Sequence, residues 1–148
     1  MAIQLAVENV TVGLGGPFGA VVVKDSELVA SGANRVTAAN DPTAHAEILA
    51  IRAACAKIGA FQLTGCQLYC SCEPCPMCLG AIYWARPSVF YYAGTRATAA
   101  ASGFDDAFIY NELQLNPSER SIPGHCLLPE RGLRAFVEWA NSRNRVRY

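Results

Sequence analysis

Four cysteines lie within nine positions of the stretch YCSCEPCPMCLG, which runs from Tyr69 to Gly80. Cys75 and Cys78 are three residues apart, and Pro76 suits the first turn of a helix that begins there. Residues three apart share one helix face, so both sulfurs can be presented to one point. The positive end of a helix also favours the thiolate form that binds a metal. The spacing therefore predicts two metal ligands at a helix N-terminus.

A third ligand is predicted in the segment DPTAHAE, which opens a second helix. His45 is the candidate, because the other histidine, His125, lies in a stretch with no matching pattern. Glu47 follows two residues later, and residues two apart differ by about 200° around a helix. Both side chains can therefore address one centre only beyond the N-terminal end of the helix, with Asp41 or Thr43 as the predicted N-cap.

Three protein ligands, His45, Cys75 and Cys78, leave a tetrahedral zinc ion one position for water. Zinc lowers the pKa of that water toward neutrality and so provides a hydroxide nucleophile. Glu47 is a nearby carboxylate that can move protons. The combination of His-x-Glu with Pro-Cys-x-x-Cys is the motif pair of zinc-dependent nucleobase deaminases. The two motifs together predict an open, catalytic zinc site.

A closed structural zinc site with Cys70, Cys72, Cys75 and Cys78 is the alternative interpretation. Cys70 and Cys72 fall on or just after a short buried strand, where cysteine commonly serves as a small apolar residue. A closed site would also leave the HAE motif unexplained. Disulfides are a weaker explanation, because seven cysteines is an odd number and no signal peptide is recognised.

The whole chain has 148 residues, 52% of them hydrophobic, and a net charge of zero. These values favour one globular domain, residues 1–148, with a cytoplasmic location and no membrane helix. Proteins that bind nucleic acid normally carry a basic excess, so a nucleic-acid partner is disfavoured. Five of the twelve basic residues lie in the last eighteen positions, which keeps an RNA partner open although a solvated charged helix face is the simpler interpretation.

The N-terminal part of the chain predicts a helix followed by a hairpin. Ile3, Ala6, Val7 and Val10 recur at helical spacing, and GLGGP ends that helix. The segment FGAVVVKDSELVAS then combines an apolar β-branched run, a polar turn and a second short strand.

The rest of the chain predicts helices alternating with strands. A helix is predicted from about residue 44 to 58 and another from Pro76 to Trp84, with strands at QLYCS and SVFYYAG. Two further segments, ATAAAS and FDDAFIYNEL, precede a predicted last strand at 125–128 and a predicted final helix that ends near Asn141. This order predicts an α/β layered domain with a mixed sheet of about five strands.

Four segments, GGPFGAVVVKD, NDPTAHAEILAIRAAC, CEPCPMCLGAIYWARP and GFDDAFIY, resemble bacterial-type guanine deaminases of the cytidine deaminase superfamily. The resemblance runs from about Gly15 to the C-terminal tyrosine. It implies a three-layer α/β/α domain, a zinc cofactor, and hydrolysis of guanine to xanthine and ammonia in purine catabolism or salvage. In that reaction zinc-bound hydroxide would attack C2 of guanine, with Glu47 as proton shuttle.

The resemblance also implies roles for substrate-binding residues. Phe18 would stack on the purine, Asn34 would hydrogen-bond the base, and Asp106 would accept from the ring N–H groups. From the residues alone, Phe18 is equally a core phenylalanine and Asn34 a turn residue, while Asp105 and Asp106 are typical of a helix N-cap pair.

The C-terminal segment, about 130–148, would be swapped between the subunits of a homodimer, with Tyr148 closing the neighbouring active site. Arg35 and Cys70 depart from the family pattern. Because Arg35 follows a supposed base-binding position, guanosine is an alternative substrate.

Three other functions remain open from the sequence. A tRNA adenosine deaminase shares the HAE and PCxMC motifs, and its substrate would contact the terminal arginines. Cytidine or deoxycytidylate deamination is less favoured. A non-catalytic zinc scaffold is disfavoured because structural zinc sites normally have four protein ligands. The site predicted from this sequence has three protein ligands, and Glu47 is present beside them.

Overall fold

The computed structural model describes residues 1–147, so Tyr148 lies outside the described residues. The chain forms two compact units that divide after Asp106. None of the helices in residues 1–147 is both long and apolar enough to cross a membrane.

The first unit contains a four-stranded sheet and five helices in its described residues. Its helices are α1 (Ala2–Thr11), α2 (Val36–Ala39), α3 (Ala46–Ile58), α4 (Pro76–Ala85) and α5 (Arg96–Ala101), and its strands are β1 (Gly19–Lys24), β2 (Glu27–Ala33), β3 (Cys66–Cys72) and β4 (Val89–Gly94). The sheet order is β2-β1-β3-β4. The β1 strand is antiparallel to both β2 and β3, whereas β3 and β4 are parallel. The predicted hairpin and mixed sheet are confirmed.

The sheet separates two helical layers. A Cβ atom on Gly19 would overlap the Ala2 carbonyl of α1, and one on Gly32 would overlap the Ala46 carbonyl of α3. Gly32 pairs with Ala20, and successive strand residues point to opposite faces. The α1 helix therefore packs on one face of the sheet and α3 on the other.

The core lies between the sheet and the α3 and α4 helices. Its largest fully buried side chains include Val22, Leu63 and Leu68, and α4 contributes Ile82 and Ala85. Because both helices are anchored along their bodies by this apolar burial, their N-terminal ends are held in fixed positions beside the sheet.

The first helix buries different residues from those predicted. Ala2, Ala6 and Asn9 are its buried residues, whereas Val7 and Val10 are 56% and 52% exposed. Small residues face the sheet because α1 approaches β1 closely at its glycine. The predicted apolar stripe is therefore wrong except at Ala6, and a polar side chain takes part in the packing.

The second unit contains α6 (Ala107–Gln114), a short 3-10 helix at Pro117–Glu119, and α7 (Pro129–Asn141). The strand predicted at 125–128 is wrong, because this part of the described chain is irregular. Pro123 and Pro129 flank the segment, and a proline has no N–H to donate to a strand ladder. The described residues therefore hold four strands instead of about five.

Candidate active site

Three side chains from two helix N-termini meet at one point. His45 is the N-cap residue of α3, Cys75 is the N-cap residue of α4, and Cys78 lies in the first turn of α4. The Nδ1 atom of His45 lies 3.6 Å from the Sγ atom of Cys75 and 3.5 Å from the Sγ atom of Cys78. The predicted convergence of the two helix ends is confirmed.

The geometry of these donors fits a tetrahedral zinc ion. With Zn–S bonds of about 2.3 Å and Zn–N bonds of about 2.1 Å, a tetrahedral site separates sulfur from nitrogen by about 3.6 Å. The observed distances of 3.6 and 3.5 Å match this edge length. All three ligand atoms lie within 4.8 Å of one another. One imidazole and two thiols are also ligands that zinc prefers.

The predicted N-cap of α3 is wrong, and the difference explains the position of His45. Asp41 uses its carboxylate within the preceding turn, where it accepts hydrogen bonds from the backbone and hydroxyl groups of Thr43. The helix begins later, so His45 stands at its end with extended backbone. Its imidazole is therefore directed away from the helix body and toward the cysteines.

Hydrogen bonding within the cluster favours a thiolate. The hydrogen bond with Cys78 lowers the pKa of the Cys75 thiol to about 4. The same bond, together with burial, raises the pKa of Cys78. A hydrogen bond with Cys75 raises the pKa of His45. Metal binding would release protons from these groups, because zinc binds the thiolate and the neutral imidazole.

Glu47 lies beside this cluster without belonging to it. Its side chain is only 6% exposed, and its Oε2 atom accepts a hydrogen bond of 3.5 Å from the Cys78 thiol. Burial raises the pKa of the Glu47 carboxyl. A raised pKa makes the buried carboxyl a better proton acceptor than an exposed glutamate, which suits a group that takes up a proton and passes it on in general acid–base catalysis.

A cavity of about 360 Å³ opens in front of the cluster. Its lining includes all three predicted substrate-binding residues that lie within the described chain, Phe18, Asn34 and Asp106, together with His45 and Glu47. A larger cavity of about 510 Å³ lies beside α1. No ligand of the metal cluster lines that larger cavity, so the smaller one is the candidate active site.

The three substrate-binding candidates differ in their surroundings. The ring of Phe18 packs edge-on against Phe104, with ring centroids 5.0 Å apart. Asn34 is buried, and its Oδ1 atom accepts hydrogen bonds of 3.2 Å from the backbone N–H groups of Gly16 and Val36. Partial burial raises the pKa of the Asp106 carboxyl. The fourth candidate, Tyr148, lies outside the described residues.

The cavity also contains residues that the sequence did not predict. Phe104, Glu73 and Arg96 line it, whereas Arg35 is not among its lining residues. Glu73 accepts a hydrogen bond of 3.0 Å from the backbone N–H of Arg96. Phe104 lies in the GFDD segment and Glu73 in the CEPC segment. Their closeness in the sequence to predicted functional residues is the signal that could have identified them as cavity residues.

The other cysteines of the first quoted stretch are outside the metal cluster. Within residues 1–147, the group of three donors contains neither Cys70 nor Cys72, which contradicts the four-cysteine alternative. Cys70 is buried in β3 as expected. Cys72 lines the cavity and donates a hydrogen bond of 3.5 Å to the Thr95 carbonyl.

Similar proteins are consistent with this geometry. Residues 1–93 match the family described as the cytidine and deoxycytidylate deaminase zinc-binding region. The chain is 54% identical to the guanine deaminase of Bacillus subtilis over 99% of this chain and 94% of that protein. The X-ray structure of a guanine deaminase from Bacillus subtilis superposes with a TM-score of 0.97 at the same identity and coverage. A tRNA-specific adenosine deaminase from Agrobacterium fabrum is 49% identical over 51% of this chain and 50% of its own length.

The zinc-binding geometry and the family match agree, because the matched residues include His45, Glu47, Cys75 and Cys78. The α/β fold with its mixed sheet agrees with the superposed structure. The chain therefore belongs to the family of zinc-binding cytidine and deoxycytidylate deaminases.

Proposed function

We propose that the protein hydrolyses guanine to xanthine and ammonia. In this reaction a C–O bond forms at C2 of the purine, the bond from C2 to the exocyclic nitrogen breaks, and ammonia leaves. The observation that carries the proposal is that Glu47, Asp106 and two members of the metal cluster, His45 and Cys75, line the same cavity. The guanine deaminase that matches over nearly the full chain supports the choice of substrate.

The metal ligands would be His45, Cys75 and Cys78. When bound, zinc supplies Lewis acidity that lowers the pKa of a water molecule from its bulk value toward neutrality. Glu47 lies close enough to the cluster, at 3.5 Å from the Cys78 sulfur, to receive the proton that this water loses. The same carboxyl would then pass this proton to the ring nitrogen. As the bond from C2 to the exocyclic nitrogen breaks, it would take up the remaining proton of the added oxygen and deliver it to the departing amine.

Asp106 and Asn34 would read the edge of the base. Guanine presents ring N–H groups to a carboxylate acceptor such as Asp106, and adenine lacks that arrangement of donors. The Oδ1 atom of Asn34 accepts from two backbone N–H groups, which leaves its Nδ2 group to donate to a purine acceptor. Phe18, braced by Phe104, would pack against the purine ring.

We propose one deaminase domain over residues 1–148 that functions as a homodimer, with the segment of about 130–148 exchanged between subunits. The support is the apolar side of α7, where Leu133, Phe136 and Val137 are 60%, 72% and 55% exposed. A second copy of the chain would bury these side chains, and Tyr148 would complete the neighbouring cavity. The seven free cysteines fit a reducing location such as the cytoplasm.

The first experiment measures ammonia release by zinc-loaded protein from guanine, guanosine, adenine, cytosine, cytidine and a tRNA substrate of tRNA-specific adenosine deaminases. Release from guanine that is lost in Glu47→Ala is the expected result. Preferential release from guanosine would keep the mechanism and replace the substrate. Release from tRNA alone, or from none of the panel, would overturn the proposal.

The exchanged segment can be tested by mixing two inactive variants, Glu47→Ala and Tyr148→Ala, under conditions that allow subunits to exchange. A swapped hybrid contains one site with an intact Glu47 and a tyrosine from the other subunit, so activity should return. A dimer without exchange leaves both sites defective. Sedimentation velocity of each variant verifies that the mixture is dimeric, and a monomeric wild-type protein would contradict the dimer itself.

A further inference from the structure

Asn9 is a buried polar residue on the side of α1 that faces the sheet, and the chemistry of the metal cluster does not use it. Its side chain is 3% exposed. The Nδ2 group donates a hydrogen bond of 2.9 Å to the Gly16 carbonyl and another of 2.9 Å to the Asn34 carbonyl. One amide therefore joins α1 to two separate segments of the candidate active site.

These two segments are also bonded to each other. The Gly16 N–H donates to the Oδ1 atom of Asn34 at 3.2 Å, and the Asn34 N–H donates to the Phe18 carbonyl at 3.0 Å. A Cβ atom on Gly15 would overlap the Asn34 carbonyl, so the two backbones are in close contact. Asn9, Asn34 and residues 15–18 thus form a closed network, which we call the asparagine network.

The asparagine network sets the direction of the Asn34 side chain. Its Oδ1 atom accepts hydrogen bonds from two backbone N–H groups, so its Nδ2 group is the end that can donate to a ligand in the cavity. Asn9 anchors the carbonyl of this same residue and the carbonyl of the donor residue Gly16. Losing Asn9 would free two carbonyls and loosen both ends of the contact that orients Asn34.

The Oδ1 atom of Asn9 indicates that a contribution to stability alone does not explain why an asparagine occupies this position. Its Oδ1 atom is buried and has no hydrogen-bond partner among the described residues. An unpaired buried acceptor is destabilising by itself. The opposite orientation of the amide would direct this oxygen at two carbonyl oxygens, so the two acceptors define the assignment.

We infer that Asn9 is a positioning residue for substrate recognition, which acts by holding Asn34 in the geometry that binds the purine. Asn9 does not line the cavity, so its effect reaches the substrate through Asn34. The inference rests on the proposed function only for the identity of the substrate. The network itself is defined by the hydrogen bonds of the protein.

The kinetic test compares Asn9→Ala with Gln4→Ala. Gln4 is on the same helix and makes one exposed side-chain hydrogen bond, of 2.9 Å to Glu8. Asn9→Ala should raise the KM for guanine about 5- to 50-fold, as expected for the loss of two hydrogen bonds, with kcat changed less than about 3-fold. Gln4→Ala should leave both constants at the wild-type values. A fall in thermal stability of Asn9→Ala with an unchanged KM would overturn the inference.

A double-mutant cycle separates positioning from general destabilisation. If Asn9 acts through Asn34, Asn9→Ala should have little further effect on KM in an Asn34→Ala background. Multiplicative effects of the two substitutions would instead show that Asn9 acts independently and would contradict the inference.

Amide hydrogen exchange provides a measurement that needs no substrate. The Gly16 and Val36 N–H groups donate to Asn34, so their protection should fall about 10-fold or more in Asn9→Ala and stay unchanged in Gln4→Ala. If Asn9→Ala does not fold, Asn9→Leu keeps the approximate size of the buried side chain and removes its hydrogen-bond donors, so it should produce the same loss. Unchanged protection would overturn the inference. Wild-type protein that is inactive on guanine would overturn the proposed function and leave this exchange test valid.

Discussion

The two sides of the cavity are built in different ways. The metal side (His45, Glu47, Cys75 and Cys78) stands at the starts of α3 and α4, and both helices contribute buried residues to the core. The recognition side (residues 94–106, with Phe104 and Asp106) consists of the six-residue helix α5, which has no buried residue, and the turn that follows it.

The contacts that hold the two sides in place also differ. The metal side is fixed by the apolar core, whereas the contacts of the recognition side include a few hydrogen bonds and the packing of Phe104 on Phe18. Glu73 donates from its backbone to the Gly94 carbonyl at 2.8 Å and accepts from the Arg96 N–H at 3.0 Å. The proposed roles therefore assign the chemistry to the rigid part of the unit and the choice of substrate to a part that is more easily changed. Substitutions on the metal side should abolish the reaction, and those on the recognition side should alter KM and selectivity.

The largest expected effect is the loss of the metal from Cys75→Ser. Removing one of three protein ligands should weaken zinc binding by at least about 100-fold, and turnover should fall below detection. The measurement is zinc per chain after gel filtration, together with ammonia release. Cys72→Ser is the matched control for zinc content, because Cys72 is three positions from Cys75 and six from Cys78 but lies outside the cluster. Equal loss of zinc in the two variants would show that Cys72 is also a zinc ligand, as in the four-cysteine alternative.

The second prediction separates proton transfer from metal binding on the same side. Glu47→Gln should lower kcat for guanine about 10²- to 10⁴-fold, the usual contribution of a general acid–base group, with zinc content unchanged. Because Glu47 is buried and burial disfavours its charged form, the neutral amide should leave the melting temperature unchanged or raise it. Glu27→Gln, at the exposed start of β2, is the control. Full activity in Glu47→Gln would remove this residue from the mechanism.

The third prediction moves to the recognition side. Asp106→Asn should lower kcat/KM for guanine about 10- to 100-fold, because a hydrogen bond to a charged group contributes about 1.5–3 kcal/mol. Zinc content should stay at the wild-type value, and the preference for guanine over adenine should narrow. Asp25→Asn, in the exposed hairpin turn, makes the same chemical change away from the cavity. A variant that loses zinc would show that the two sides are not independent.

The metal side could be predicted from the sequence because its residues lie in two short motifs, each at the start of a helix. The spacing of Cys75 and Cys78 and the position of His45 before an apolar helix are sufficient to bring three donors together at two helix ends. The exact start of α3 could not be predicted, because Asp41 competes by bonding within its own turn with Thr43. That difference moves His45 to the N-cap and leaves the ligand set unchanged.

The recognition side and the asparagine network could not be predicted from local patterns. Phe18 and Phe104 are far apart in the sequence and meet only in the folded chain. Asn9 lies outside the apolar stripe that was predicted for α1, and its partners lie 7 and 25 positions away. The resemblance to a family implied Phe18, Asn34 and Asp106 as binding residues, but not the contacts that orient them.

The smallest expected effect tests the connection between the two sides. Glu73→Gln retains an acceptor for the Arg96 N–H but removes the charge, so the bond should weaken without disappearing. The KM for guanine should rise about 2- to 10-fold, as expected for one exposed hydrogen bond, while kcat stays within about 2-fold. Glu119→Gln is the matched control, since that carboxylate accepts a hydrogen bond of 2.8 Å from Asn116 in the second unit. A fall in kcat as large as that of Glu47→Gln would mean that Glu73 orders the metal side as well, and the division between a rigid chemical side and an adjustable recognition side would be wrong.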